Sequence, residues 1–138
     1  MSPDSINILH ISDIHFGRID QAVLEELRTF IFNKKSDLGL VILTGDLTQR
    51  AKKKEFQAAR EFLESLDCPV IVVPGNHDVP LYNIFLRFLS PYSKFCKYLG
   101  GFSQKYFEDE RIAVYGMWST NPLSIKDGMI SSHDLDSL

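Results

Sequence analysis

The chain has 138 residues, a net charge of −3 and a hydrophobic fraction of 44%, which is ordinary for a water-soluble globular domain. This length predicts a single domain over residues 1–138 that buries a core without disulfides. The acidic balance argues against a nucleic-acid-binding protein, because such proteins usually have a basic surface. Two cysteines, no basic leader and no apolar run of about 20 residues predict a reduced, cytoplasmic protein with no membrane partner.

The first half of the chain alternates short β-rich segments with amphipathic helical segments. Strands are predicted at Ile6–Ile11, Leu38–Leu43 and Val70–Val73, with helices at Asp20–Asn33 and Lys52–Leu66 between them. Strands that alternate with helices favour a parallel sheet with right-handed crossovers. The predicted fold class is therefore α/β, with a β-α-β-α-β start.

The second half has a different pattern. Helices are predicted at Leu81–Leu89 and Tyr92–Leu99, separated by a Ser-Pro pair that disfavours a continuous helix. Phe102–Phe107 and Arg111–Met117 predict a hairpin that either extends the sheet or begins a second one. The apolar side chains of the two helices fit either core packing or a substrate cap or partner surface.

A last helix is predicted to begin close to the end of the chain. Ser131 and Asp134 have the spacing of a helix N-cap and an acidic first turn, and Leu135 and Leu138 have helical spacing. A helix this short does not form without tertiary support. This pattern predicts that the chain is a fragment or a truncated form of a larger domain.

A polar cluster follows each of the three predicted strands. Because the carboxyl ends of parallel strands meet at one edge of a sheet, we expect the three clusters to converge there. Carboxylate, imidazole and amide donors without a thiolate suit divalent manganese, iron, zinc or magnesium. Any one of these residues alone would fit a solvated loop, whereas together they predict a metal site. In chain order they are Asp13 and His15, then Asp46, then Asn76, His77 and Asp78.

The same segments resemble a known family. LHISDIHFG, LTGDLTQ and VPGNHD resemble, in order, the D-x-H, G-D and G-N-H-D blocks of the calcineurin-like metallophosphoesterases. The resemblance implies an α/β/β/α sandwich and two divalent ions (manganese, iron or zinc) that activate a hydroxide to hydrolyse a phosphoester. GDLTQRA and GNHDVPLYN are most similar to the bacterial cyclic-nucleotide phosphodiesterase-like branch. The resemblance implies a phosphodiesterase or a phosphatase with a small phosphoester substrate, and a cyclic nucleotide is one candidate among several.

The resemblance also implies a role for each metal ligand. Asp13 and His15 would bind one ion, and Asp46 would bridge both ions. Asn76 would bind the second ion and help to hold a phosphate oxygen. These four residues are the predicted metal ligands.

His77 and Asp78 are the predicted catalytic pair. His77 would be an acid outside the metal coordination sphere, and Asp78 would orient it through its other ring nitrogen. The family's second half adds one further histidine and a Gly-His-x-His block, both of which this chain lacks. The remaining histidines are His10, expected in the core or beside the ligands, and His133, expected at the surface. The fold is therefore predicted to lack the C-terminal portion of the sandwich, and the chain alone to bind metal weakly with little turnover.

Two other functions remain open. The chain could be a catalytically inactive binding or scaffold module of the same fold. It could also be a DNA repair nuclease of the same superfamily, which its acidic charge disfavours. A sheet edge left uncovered by a missing half would pair with another chain, so homo-oligomers are predicted.

Overall fold

The computed structural model describes residues 5–124, 127–130 and 132–136. Its main sheet has three parallel strands in the order β1-β2-β3, which are Asn7–Ser12, Leu38–Thr44 and Val70–Val72. β1 and β2 pair over the whole length of β1, whereas β3 pairs with β2 over three residues. The parallel sheet confirms the predicted α/β class and its β-α-β-α-β start.

Two helices connect the three strands. α1 spans Gln21–Lys34, and the side chain of its N-cap, Asp20, accepts a hydrogen bond of 2.8 Å from a backbone N–H in the first turn. α2 spans Lys53–Glu64, and the side chain of Glu55 reaches back to the backbone N–H of Lys52. The sequence therefore placed both helices correctly, although α2 ends earlier than predicted.

The second half of the chain contains short elements. α3 is Ile84–Leu89 and α4 is Ser93–Leu99, while β4, Tyr106–Glu108, and β5, Ala113–Tyr115, form an antiparallel hairpin. The hairpin is a separate two-stranded sheet, so the second of the two predicted alternatives is correct. A one-turn helix, α5, spans Ser132–Leu135. The predicted cap at position 131 and the leucine at 138 lie outside the described residues. None of the helices in the described part of the chain has the length and hydrophobicity of a membrane span.

The hydrophobic core lies on one face of the main sheet, which we call the helix-covered face. Alternate strand residues point to this face, as the period of two in a strand requires. α1, α2 and α4 cover it with aliphatic and aromatic side chains. The buried residues at its centre include Leu24, Ile31, Val41, Leu43, Phe56, Phe62, Leu63, Val72, Phe95 and Leu99.

The opposite face of the sheet, which we call the open face, carries Ile8, His10, Leu40, Ile42, Thr44 and Ile71, of which Leu40 and Ile71 are completely buried. Ile8 is 37% exposed, His10 is exposed and Ile42 is half-buried. His10 was expected in the core or beside the ligands, and the core alternative is wrong. Its Nε2 atom lies 2.8 Å from the Thr44 hydroxyl, on the side of the sheet opposite α1, α2 and α4.

The two short helices differ in how they use their apolar residues. Phe95 and Leu99 of α4 are completely buried in the core, where α4 packs against α2. Phe85 and Leu89 of α3 are each 79% exposed. Arg87 anchors α3, because its guanidinium donates to carbonyl oxygens of residues 80, 122 and 124. Of the two alternatives predicted for these helices, α4 therefore packs in the core, whereas α3 presents an apolar surface.

Candidate metal centre

The segments that follow β1 and β2 continue side by side beyond the ends of the strands. The Asp13 N–H donates to the Thr44 carbonyl at 3.2 Å, and the His15 N–H donates to the Asp46 carbonyl at 3.0 Å. These two bonds continue the parallel hydrogen-bond ladder from the strands into the loops that follow them. They place the side chains of Asp13 and His15 next to that of Asp46.

The backbone at this edge is in an unusual conformation. Asp13 and His15 have φ values of 55° and 53°, and Gly45 has a φ of 77°. The left-handed region costs a residue with a side chain roughly 1–2 kcal/mol. A Cβ at Gly45 would also come within 2.7 Å of the Asp13 carboxylate, so that position requires glycine. Strained residues of this kind cluster at functional sites, where the surrounding structure holds them.

The carboxylate of Asp46 is the centre of the site. Its Oδ1 atom accepts the His77 N–H at 2.9 Å. Its Oδ2 atom lies 3.8 Å from the His15 Nε2 atom and 3.9 Å from the His77 Nε2 atom. Both distances are too long for hydrogen bonds but leave the donor atoms of all three residues within 4.8 Å of one another. The Asp46 carboxylate and the His15 imidazole are suitable ligands for a divalent cation, and the His77 imidazole lies beside them.

Gly75 allows the third cluster to approach this close. A Cβ at this position would collide with the Asp46 Oδ1 atom and with the backbone at Gly45. Glycine therefore permits the Asn76–Asp78 turn to lie directly over the loop after β2. The glycines of the second and third motifs are required by the same close contact.

Asp78 lies beneath the site and is completely buried. Its Oδ2 atom accepts from the Leu47 and Gly75 N–H groups at 3.1 and 2.9 Å, and its Oδ1 atom accepts from the Thr48 N–H at 2.7 Å and the Thr48 hydroxyl at 2.8 Å. Burial raises the pKa of Asp78 to about 6, while these four hydrogen bonds oppose the rise. Asp78 therefore ties the loop after β3 to the loop after β2.

The predicted contact between Asp78 and the ring of His77 is wrong. The His77 Nδ1 atom lies 2.7 Å from the backbone carbonyl oxygen of Gln49, to which it donates. The oxygens of Asp78 are occupied by the loop donors. His77 also lies beside His15 and Asp46, with the rings of the two histidines 5.2 Å apart and nearly perpendicular.

Two clefts flank the cluster. A cleft of about 750 Å³ is lined by Asp13, Asp46 and Asn76 together with the open face and β5. A second cleft, of about 470 Å³, is lined by Asp13, His15 and His77. The predicted ligands thus converge at one edge of the sheet, and Asp13 lies between the two clefts.

His15 has one polar atom with no visible role. Its Nδ1 atom is buried and has no hydrogen-bond partner among the described residues. A buried imidazole nitrogen normally has a partner, because desolvation without one costs free energy. The nitrogen of His15 that faces Asp46 is the other one, Nε2, at 3.8 Å from the Asp46 Oδ2 atom.

Sequence reasoning missed two residues that contact the site. Gln49 supplies the carbonyl for His77, and Glu55 lies next to the Gln49 segment. Glu55 had a detectable signal, because glutamate at the third position of a helix is typical of a capping box. Gln49 acts through its backbone, and no side-chain pattern predicts that.

The fold and these donors define an α/β domain with a metal-binding edge at the carboxyl ends of its strands. The chain belongs to the calcineurin-like phosphoesterase family, whose model matches residues 6–136.

Individual relatives are similar to part of the chain. A glycerophosphodiester phosphodiesterase, GpdQ, from Enterobacter lignolyticus is 31% identical over 102 residues, which are 67% of this chain and 35% of that protein. A probable cyclic nucleotide phosphodiesterase from Synechococcus sp. is 31% identical over 83 residues, 55% of this chain and 32% of that protein. Another, from Fibrobacter succinogenes, is 32% identical over 84 residues, 56% of this chain and 33% of that protein. The matched part of this chain spans about a third of the length of these curated relatives.

Proposed function

We propose that this chain supplies part of the dinuclear metal centre of a phosphodiesterase that hydrolyses a small phosphoester. The observation that carries the proposal is the convergence on Asp46, whose Oδ2 atom faces the Nε2 atoms of both His15 and His77. The names of the relatives, which refer to cyclic nucleotides and to glycerophosphodiesters, support a diester substrate.

Four residues would hold the two ions, which are manganese, iron or zinc. Asp13, Asp46 and Asn76 line the larger cleft, and Asp13 and His15 line the smaller one. When bound, such ions stabilise charge on phosphoryl oxygens and lower the pKa of water. Asn76 lies in the same turn as His77, and its side-chain amide would hold a phosphate oxygen.

His77 is the residue placed to move a proton. Because its Nδ1 atom donates to Gln49, its Nε2 atom is left facing the site. In the neutral ring Nε2 has a lone pair, so it would first take up a proton and, in the doubly protonated ring, deliver that proton to the leaving-group oxygen of a phosphoester bound there. Asp78 contributes indirectly, by holding together the loops that carry Asp46 and His77.

Metal binding tests the proposal before any substrate is chosen. Calorimetric titration with manganese is expected to give a saturable signal for the natural chain and none for Asp46→Asn. The matched control is Asp67→Asn, because Asp67 forms an exposed ion pair far from the motifs. Hydrolysis of bis-p-nitrophenyl phosphate with manganese should fall in Asp46→Asn by more than the roughly 10–100-fold typical of outer-shell changes.

The chain alone is expected to bind weakly and turn over slowly, because four protein ligands are few for two ions. Binding that depends on Asp46 without turnover supports a partial centre that needs further donors. The absence of any manganese binding that depends on Asp46 contradicts the proposal and favours a scaffold function.

A further inference from the structure

One peptide unit connects the ring of His77 to a buried carboxylate. The carbonyl oxygen of Gln49 accepts the His77 Nδ1–H at 2.7 Å, and the adjoining Arg50 N–H donates to the Glu55 Oε2 atom at 2.8 Å. The carbonyl and the N–H belong to the same planar unit, so they cannot rotate independently. A hydrogen bond on one side of the unit therefore fixes the direction of the other side.

The unit is held firmly from the Glu55 side. Glu55 is 3% exposed, so little water competes for its carboxylate. The same Oε2 atom accepts the Lys52 N–H at 3.2 Å, since the chain turns at Ala51 with a φ of 50°. The Gln49 N–H donates to the Phe16 carbonyl at 3.0 Å. Hydrogen bonds to an ionised acceptor are about twice as strong as neutral ones.

The short bond to Gln49 determines which nitrogen of His77 carries the proton in the neutral ring. Its carbonyl oxygen only accepts, so Nδ1 must be the donor and Nε2 keeps its lone pair. The Gln49 side-chain nitrogen lies 3.4 Å from Nδ1, too far to compete with the 2.7 Å bond. Nε2 is the atom that faces Asp46.

We propose that Glu55 is a positioning residue for His77, acting through the Gln49–Arg50 peptide unit. Its carboxylate orients the carbonyl that selects the tautomer and the ring angle of His77. The inference rests on the proposed function only for its effect on turnover, because the tautomer is a property of the metal-free chain.

Glu55 also has a simpler role, which is to cap α2. It sits at the third position of the helix and accepts the N–H of the preceding cap residue. Two conservative substitutions separate the roles. Glu55→Gln keeps an oxygen at the right distance but removes the charge, whereas Glu55→Asp keeps a charge near the helix N-terminus but is one methylene too short for Arg50. Glu64→Gln, at an exposed position on the same helix, is the matched control.

The first measurement is the nitrogen-15 spectrum of the histidine rings in the metal-free chain at about pH 8.5, where imidazoles are neutral. The natural chain, Glu55→Gln and Glu64→Gln are expected to show the Nδ1–H form of His77. Glu55→Asp and Glu55→Ala are expected to show a mixture of both forms. If Glu55→Ala does not fold, the Gln and Asp variants still decide the question. A natural chain with the Nε2–H form, or an Asp variant with an unchanged ring, overturns the proposal.

The second measurement is manganese-dependent hydrolysis of bis-p-nitrophenyl phosphate. Glu55→Asp is expected to lower kcat about 10–100-fold with little change in KM, and Glu55→Gln to recover most of that loss. Equal kcat in the Gln and Asp variants overturns a positioning role. If the natural chain itself has no turnover, manganese binding that depends on Asp46 still tests the proposed function, and the ring spectra decide the role of Glu55.

Discussion

The two faces of the main sheet are used for different purposes. On the helix-covered face, Leu43 and its neighbours are almost completely buried against α1, α2 and α4. On the open face, Ile8 and His10 are exposed, and His10 borders the larger cleft. Both faces belong to the same strands and differ only by one residue in register. The comparison indicates that the helix-covered face carries most of the buried core, whereas the open face combines two buried residues, Leu40 and Ile71, with exposed residues beside the larger cleft.

The largest effect on the free energy of unfolding is expected from truncating a side chain on the helix-covered face. Leu43→Ala should lower the free energy of unfolding by about 2–5 kcal/mol, because it removes buried methyl groups and leaves a cavity. The matched change on the open face, Ile8→Ala, should cost about 1 kcal/mol or less, since Ile8 is already 37% exposed. Urea denaturation of both variants measures the difference. Equal losses would show that the two faces contribute equally to stability.

A second substitution tests whether stability comes only from apolar burial. Asp78→Asn places an amide N–H₂ where the carboxylate now accepts four hydrogen bonds, so buried donors lose their partner. The expected loss is about 2–3 kcal/mol at neutral pH. A loss near zero in the same denaturation experiment would mean that the polar edge contributes nothing to stability.

The pH dependence of Asp78→Asn sharpens that test. The pKa of Asp78 is about 6 in the folded chain against an ordinary 3.8, so the folded state holds the proton more tightly than the unfolded state. The resulting stabilisation is complete below the ordinary value and is lost as the pH rises through about 6. The natural chain has this contribution and the variant lacks it. The cost of Asp78→Asn should therefore be greater at about pH 4.5 than at about pH 7.5. A cost that grows with pH would contradict the raised pKa.

The smallest effect is expected on the open face itself. Thr44→Val removes the hydroxyl that lies 2.8 Å from His10 Nε2 and changes little else in shape. Water can replace the lost partner because His10 is exposed, so the cost should stay below about 1 kcal/mol. Thermal denaturation measures it. A loss comparable to that of Leu43→Ala would show that the open face is part of the folding core.

Much of the metal centre was predictable because it depends on local pattern and topology. Three apolar runs predicted strands, and parallel strands must end at one edge, which brought Asp13, Asp46 and Asn76 together. The residue types then indicated a divalent metal. The predicted dinuclear centre, the oligomeric state and the cytoplasmic location remain predictions.

The remaining features of the site depend on the paths of the loops, which the hydrophobic pattern of the sequence does not predict. The sequence predicted that Asp78 contacts its neighbour His77. In the structure its carboxylate accepts hydrogen bonds from donors that are 30 and 31 residues earlier in the chain. The exposure of His10 depends on which face of the sheet α1, α2 and α4 cover. The role of Gln49 depends on the direction of one carbonyl group, which no side-chain pattern encodes.

The left-handed backbone at Asp13 and His15 has a consequence for protein engineering. Glycine adopts such angles without steric cost, so Asp13→Gly and His15→Gly would relieve conformational strain while deleting two donors. A selection for heat resistance alone would therefore favour variants that have lost their chemistry, as happens where activity requires a strained site. Stabilised versions of this domain should be sought with these two positions held constant.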